Sequence, residues 1–473
     1  MTLVAGVDSS TSACKVEVRD ADTGELVASG RAPHPPTTPP RSEQRPEDWW
    51  SAFETACAQA GVSGRNRPAA ISVAGQQHGL VVLDRDGVVL RPAKLWNDTE
   101  SAEDADALVA ALGAEAWADA CGSVPVASFT ITKLRWLQRC EPDVFRRVAL
   151  VLLPHDWLTR ELTRRATTDR GDASGTGWWS PREERYRHDL LAVVDDSVAW
   201  EDRLPEVLPP AGVAGEWNGM LVGAGTGDNM AAALGLGLQA GDVALSLGTS
   251  GTAFCVSDRP AADASGVVAG FADATGRYLA LVCTLNATKV TDAMARLLGV
   301  EATGLDALAL GAAGGAGGVV LVPHLDGERT PNRPRATGTI TGLRSDATRQ
   351  QLARAAVEGV VCNLLEGAGE LVRWEPRVAH GRVLVVGGGA RSAAYRQVCA
   401  DLTGRAVVVP DDGEPVARGA ALQAAAALTR RSFDDIANDW GIGAASVVEP
   451  DPSVDGAAIR AAYADALEKA ASA

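Results

Sequence analysis

Asp8 is followed at once by Ser9, Ser10 and Thr11, and then by Lys15. A carboxylate, hydroxyls and an ammonium in one short turn can do phosphate chemistry. Backbone N–H groups and hydroxyls take phosphate oxygens, and an acid holds a metal ion through water. A plain β-hairpin explains the same residues, and this stretch alone leaves both readings open. A second turn of the same shape, Gly248, Thr249, Ser250 and Gly251, lies inside the apolar stretch 242–256, with Leu247 where the first copy has Asp8. Two such turns with one acid suit a single asymmetric site. Asp228, in "GTGDNMAA", is either a helix N-cap, worth about 1 kcal/mol, or a general base that takes the proton of an attacking substrate hydroxyl. "GGGARS", residues 387–392, has Ser392 where a dinucleotide fingerprint needs its third glycine. It is either a tight strand-to-helix turn or a place where a nucleotide lies on bare backbone. Neither a P-loop nor the protein-kinase signature set occurs.

The elements that must hold these residues are legible from periodicity. Apolar residues before Asp8 and the alternation after Lys15 predict a strand pair, with a third strand near 26–32. "PHPPTTPP" (33–40) is an ordered loop or lid, since its prolines exclude a helix or a central strand. "RPEDWW" opens a helix with Pro46 in its first turn and acids favourable to the dipole. "AAISVAGQQHGLVVLDRDG" predicts strand, polar loop, strand and turn. "RVALVLLPHDWLTREL" predicts a strand that runs into a helix. The stretches around 225–235, 387–400 and 405–428 predict glycine turns or loops that feed helices. Residues beyond 430 predict an Ala-rich helical tail.

With 473 residues the chain is too long for one ordinary core, so two domains are expected. A net charge of −16 argues against nucleic acid or an anionic membrane surface as partner. It leaves room for an anionic substrate held in a local site. The eight cysteines are scattered without a C-x-x-C pair, and the six histidines are dispersed. That pattern suggests reduced thiols and a cytoplasmic setting, and it argues against disulfide, zinc or histidine-metal frameworks. No leader peptide is expected, because Asp8 interrupts the first apolar run, and no stretch reaches the length of a membrane span.

Taken in order, "GVDSST…K", "SEQRPEDWW", "GQQHGLVVLD", "LWND", "GTGDNMAAALG", "SLGTSGT", "PHLDGERTP", "VVGGGARSAAYRQVCADLTG" and "ARGAALQAA" resemble the FGGY carbohydrate kinases, and within them most closely the xylulokinases. The likeness runs to about residue 430. It implies an α/β protein with two actin-like, ribonuclease-H-like domains flanking a cleft: 1–240 for the sugar, 241–430 for ATP, and 431–473 as the tail. The implied reaction is ATP-dependent phosphorylation of a sugar hydroxyl, with Mg²⁺. The partners are then the sugar and ATP, and a homodimer remains open as the assembly.

Carried over from the resemblance, Asp228 is the catalytic base and Asp8 positions Mg²⁺ and phosphate. Thr11 and Lys15 belong to the first phosphate turn, and Gly248, Thr249, Ser250 and Gly251 to the second. Gly388, Gly389 and Ala390 form the nucleotide turn. Gln77 and His78 bind sugar, with Trp96, Asn97 and Asp98 of "LWND" beside them. Glu328 and Arg329 in "DGERTP" are expected as a domain-closing ion pair. Two positions depart from the xylulokinase pattern: Gln77 stands where methionine is usual, and Glu100 where arginine is common. An amide near the sugar changes which hydroxyl arrangement leaves no buried group unpaired. An actin- or chaperone-like ATPase would share the architecture but would need no "GQQHG", "LWND" or "GTGDN". A sugar sensor that had lost catalysis would not need both Asp8 and Asp228.

Overall fold

Val4 and Val7 are buried, and Ala5 and Gly6 between them are buried too, so the first strand, Leu3–Ser9, is covered on both faces. It pairs antiparallel with Ala13–Asp20, which puts Asp8 opposite Lys15, and parallel with Ala70–Gly75. The computed structural model describes residues 1–410, 414–443 and 445–472; the predicted loop at 411–413 lies outside them. The described chain forms two compact units: Met1–Leu238, Asp258–Leu279 and Glu414–Gly443 in the first; Gln239–Ser257, Ala280–Gly413 and Ala444–Ala473 in the second. The structure therefore divides the chain differently from the linear 1–240, 241–430, 431–473 reading. Two later segments fold back into the first unit.

In the first unit the strands run Val213–Trp217, Met220–Gly223, Ala70–Gly75, Leu3–Ser9, Ala13–Asp20, Leu26–Pro33. Ala5 and Val7 face a core shared with Trp49 and Phe53 of the helix Pro46–Ala60. Gly6 faces the other way, toward the helix Pro415–Thr429, where a Cβ at position 6 would lie 1.9 Å from the Ala417 carbonyl oxygen. That helix also lies against Asp228–Gly235, where a Cβ at Gly419 would lie 1.9 Å from the Ala231 carbonyl oxygen. Its Gln423 is fully buried, accepting from Ser72 Oγ and donating to the carbonyls of Pro210 and Gly225. The Ala/Gly bias of "ARGAALQAA" is the composition such close approach requires.

In the second unit the strands run Tyr278–Thr284, Gly251–Ser257, Val243–Leu247, Val383–Val386, Val407–Pro410, Ala445–Val448. The last of these is a strand that the helical-tail reading did not foresee. The helix Arg349–Leu371 starts on a Thr348/Gln351 capping box. The terminal helix Gly456–Ser472 docks on it through Tyr463, whose hydroxyl donates to Asn363 Oδ1 at 3.2 Å. Glu328 is buried here and accepts from the Leu285 and Arg329 amides and from the Asn286 and Asn363 side chains. Its carboxylate holds this unit's own loop rather than the Arg329 guanidinium, which corrects the ion-pair expectation. All eight cysteines are free thiols, seven buried and Cys140 exposed. Among the described residues no helix is long and apolar enough to cross a membrane.

Candidate active site

The site in the first unit is built where two parallel strands end side by side. Asp8 and Ser9 close one strand; Gln76, Gln77 and His78 follow the other, with the Gln76 backbone N–H donating to the Ser9 carbonyl at 2.9 Å. Lys15 Nζ lies 3.2 Å from Asp8 Oδ2 and 2.5 Å from Glu414 Oε2. Burial raises the pKa of Asp8 against the pull of the Lys15 ammonium. Thr11 is fixed by its neighbours: Trp96 Nε1 donates to its hydroxyl at 2.9 Å, and the hydroxyl donates to Gln76 Oε1 at 3.2 Å.

Asp228 is the first residue of the helix Asp228–Gly235; the N-cap is Gly227, and no side chain caps it. The N-cap alternative for Asp228 is thereby removed. The short strand Thr226–Gly227 pairs with Ala74–Gly75 and brings Asp228 to the same strand ends. Burial, followed by the negative charge of Asp8, raises its pKa to about 7. Asn229 Nδ2 donates to Asp228 Oδ1 at 2.9 Å and to Gln77 Oε1 at 2.6 Å.

Several polar atoms here are buried and find no hydrogen-bond partner within the protein: Asp8 Oδ1, Ser9 Oγ, Gln76 Nε2, Gln77 Nε2 and Asn97 Oδ1. Buried polar atoms are nearly always paired, so a group of them at one set of strand ends fits a polar ligand. Asp8 Oδ1, the oxygen not spent on Lys15, is also a hard donor of the kind Mg²⁺ takes beside phosphate oxygens and water.

His78 sits at φ +63°, in the left-handed region, and its ring stacks on Phe129 at 5.2 Å with a 5° interplanar angle. Gly175 makes room for it; a Cβ there would lie 1.9 Å from His78 Cε1. Beneath it is a buried charged cluster. His155 Nε2 lies 3.1 Å from Asp156, 3.4 Å from Asp169 and 3.4 Å from Asp172, and Asp172 lies 3.7 Å from His78 Nδ1. Burial opposes the His155 charge, but the three carboxylates outweigh it and raise its pKa to about 9. Asp169 also accepts from Thr226 Oγ1 at 2.7 Å, so the cluster backs the strand that delivers Asp228.

Asp98 is placed differently from the expectation. It is fully buried and accepts from the Ser42 amide at 2.9 Å, Lys94 Nζ at 3.1 Å and the Glu100 amide at 3.1 Å. Its carboxylate is used within the loop instead of facing a sugar. Glu100 explains its own departure from arginine: it pairs with buried Lys94, which also approaches Glu43 at 3.3 Å. The acids Glu43, Asp98 and Glu100 lie close enough to hold a cation, and the Lys94 ammonium already lies among them, with Arg91 and Arg41 also paired to Glu43.

In the second unit, the turn after Val243–Leu247 and the turn after Val383–Val386 lie at the carboxyl ends of adjacent parallel strands. This is where α/β sheets receive ligands. Gly248 and Thr249 accept, through their carbonyls, from the Thr288 and Ala287 amides at the start of the helix Thr288–Leu298. Thr249 is exposed and Ser250 half-buried, and Gly251 pairs with Leu247. Gly389 packs on Leu247, where a Cβ would come within 2.7 Å, whereas a Cβ at Gly388 would meet open space. A cavity of 330 Å³ opens there, lined by Gly388, Gly389, Thr288, Thr291, Ser392 and Tyr395 among others; Ala390 is not part of its wall. Bare backbone beside a cavity of this size fits a nucleotide.

Sequence reasoning passed over Gln76, the Asn229 amide, the His155 cluster and the cavity wall at Thr291 and Tyr395. "QQ" and "DN" were the available signals for the first two; the others depend on residues far apart in the chain.

Family profiles match both halves of the chain. The FGGY family of carbohydrate kinases matches with its N-terminal domain over residues 3–235 and its C-terminal domain over 243–428. The chain belongs to the FGGY family of carbohydrate kinases. This FGGY kinase is 48% identical over 94% of its length to a protein named xylulose kinase from Streptomyces coelicolor, covering 92% of that relative. It is 36% identical over 85% of its length to the xylulose kinase of Escherichia coli, covering 84% of it. The crystal structure of xylulose kinase from Bifidobacterium adolescentis matches with a TM-score of 0.85 at 40% identity, over 98% of this chain and 99% of that one. A gluconate kinase from Lactobacillus acidophilus, at 23% identity and a TM-score of 0.90 over 99% of this chain and 97% of that one, shares the fold. The FGGY kinase is thus an α/β enzyme of the actin-like class that phosphorylates a carbohydrate with ATP as co-substrate.

Proposed function

We propose that the carbohydrate is D-xylulose, phosphorylated at its terminal hydroxyl (O5) with Asp228 as general base. The observation that carries the base assignment is Asp228 itself: a carboxylate held near neutrality by burial and by Asp8, at strand ends where buried polar atoms await partners. A base whose pKa lies near the working pH combines a substantial ionised fraction with a strong pull on the substrate proton. The names of the relatives support the choice of sugar.

In this reading, Asp228 takes the hydroxyl proton as the sugar oxygen bonds to the γ-phosphorus and the bond to the β-phosphate oxygen breaks, leaving ADP. Phosphoryl transfer asks for alignment and charge neutralisation more than covalent chemistry. Gln76 and His78 orient the sugar, and Trp96 holds the Thr11 turn. Lys15, Thr11 and the Gly248–Gly251 turn take phosphate oxygens, and Gly388 and Gly389 let the nucleotide approach the backbone. Asp8 Oδ1 would hold Mg²⁺, and a bound Mg²⁺ supplies positive charge to the phosphates.

The test is Asp228→Asn assayed with ATP, Mg²⁺ and a panel of D-xylulose, D-ribulose, L-ribulose, glycerol and gluconate. The amide keeps the shape but cannot take the proton, so a loss of about 10²–10⁴ in kcat is expected. A folded variant with wild-type turnover removes the base assignment. Wild-type activity on another panel member with none on D-xylulose removes the sugar assignment and leaves the kinase.

A further inference from the structure

Gln77 is 4% exposed, and its carbonyl oxygen accepts from Asn229 Nδ2 at 2.6 Å. The same nitrogen donates to Asp228 Oδ1 at 2.9 Å. An amide NH₂ has two hydrogens, so a nitrogen between two acceptors directs one to each, and the amide plane is fixed. Gly227 makes room for this arrangement; a Cβ at 227 would lie 2.7 Å from Gln77 Cγ. Gln77 also lies two residues beyond the strand Ala70–Gly75, which is hydrogen-bonded to the strands carrying Asp8 and leading to Asp228.

We infer that Gln77 is a positioning residue for the base: its carbonyl orients the Asn229 amide, which in turn fixes the Asp228 carboxylate. The inference rests on the reading of Asp228 as base. It adds a task to the one the family resemblance implied: the carbonyl oxygen serves Asn229, while the buried Nε2 finds no partner within the protein.

The sign of the effect follows from the hydrogen bond. The Asn229 amide stabilises the ionised carboxylate and so lowers the Asp228 pKa against burial and the Asp8 charge. Releasing Asn229 raises it. The other charged groups that act here are Lys15 and Glu414 around Asp8, and Asp172 with His155 behind it; none is altered by a change at position 77.

Gln77→Met removes the acceptor at similar size. With D-xylulose, ATP and Mg²⁺, the expected result is a fall in kcat of about tenfold at pH 7, an acid limb of the pH–kcat profile moved up by about half to one unit, and an unchanged KM for ATP. Gln77→Glu keeps an acceptor for Asn229 but adds a charge. It should retain more of its alkaline plateau than the Met variant while its limb moves up. Asn229→Ala should reproduce the Met variant's shift, and adding Gln77→Met to it should cost little more, because both act through one relay. An unmoved limb in Gln77→Met, additive effects of the two changes, or a higher sugar KM at unchanged kcat would each overturn the assignment. Asp228→Asn measured alongside separates the two readings. Normal turnover in that variant removes the base, whereas an inactive Asp228→Asn with an unmoved limb in Gln77→Met removes only the role of Gln77.

Discussion

At the scale of single residues, the site concentrates unfavourable burial. Burial lifts the pKa of Asp228 to about 7 and raises that of Asp8, and three acids lift that of His155 to about 9. For Asp228 the folded pKa, about 7, lies above the unfolded value of 3.8. Its contribution to stability is therefore fully present below about pH 4 and lost as the pH rises through about 7. Asp228→Asn abolishes that loss. Its melting temperature relative to wild type should climb between pH 4 and pH 8, a gain in stability made at the cost of activity. Thermal unfolding of both proteins across that range checks it; a constant difference would contradict the raised pKa. In the free enzyme the acid limb of kcat/KM should fall near pH 7, where a carboxylate in water would put it near 4.

At the scale of elements, glycine and alanine decide how closely backbone can approach. Gly6 lets the helix Pro415–Thr429 lie on the first strand, and Gly419 lets it lie on the helix that begins with Asp228. Both contacts sit directly behind the site. Gly6→Val would push a branched side chain into the Ala417 backbone. Overpacking of this kind typically costs about 1–3 kcal/mol, and here backbone must move, so the upper end is expected. A lower urea midpoint with an unchanged slope would show it, together with reduced kcat, because the displaced strand carries Asp8. The predicted strands before Asp8 and Gln76 and the helix after Asp228 are where the structure has them, since each has a clean period and a clear stop. The strand Ala445–Val448 was missed because its short run, half exposed, carries no alternation to distinguish it from a loop.

At the scale of the whole molecule, the chain does not finish its first unit before starting its second. Residues 1–240 end with one face of the Leu3–Ser9 and Ala70–Gly75 strands still needing the helix supplied by 415–429. A fragment ending at residue 240 should therefore lack a cooperative thermal transition, even though it holds Asp8, Gln77 and Asp228. A sharp calorimetric transition from that fragment would mean that the later helix is dispensable. The second unit makes the same use of distance: Tyr463, near the end of the chain, anchors on Asn363, which also supports buried Glu328.

The sequence by itself determined the chemistry on offer. Asp8 before a hydroxyl turn, Asp228 before a small-residue helix, two hydroxyl–glycine turns and a glycine turn at 387–390 are local patterns, and local patterns survive in one dimension. They were enough for the family and for the reaction class. Only the tertiary structure decided how those groups are used. It showed that Asp98 is consumed by Ser42, Lys94 and Glu100, that Gln77 is committed to Asn229, and that His155 gathers three acids beneath His78. It also showed that Lys94 fills the one acidic cluster, among the described residues, that could have held a cation. Each of these depends on partners dozens of positions away or on burial. A side chain's hydrogen-bonding capacity is written in its type, but whether that capacity is already spent is settled only by what the fold packs against it.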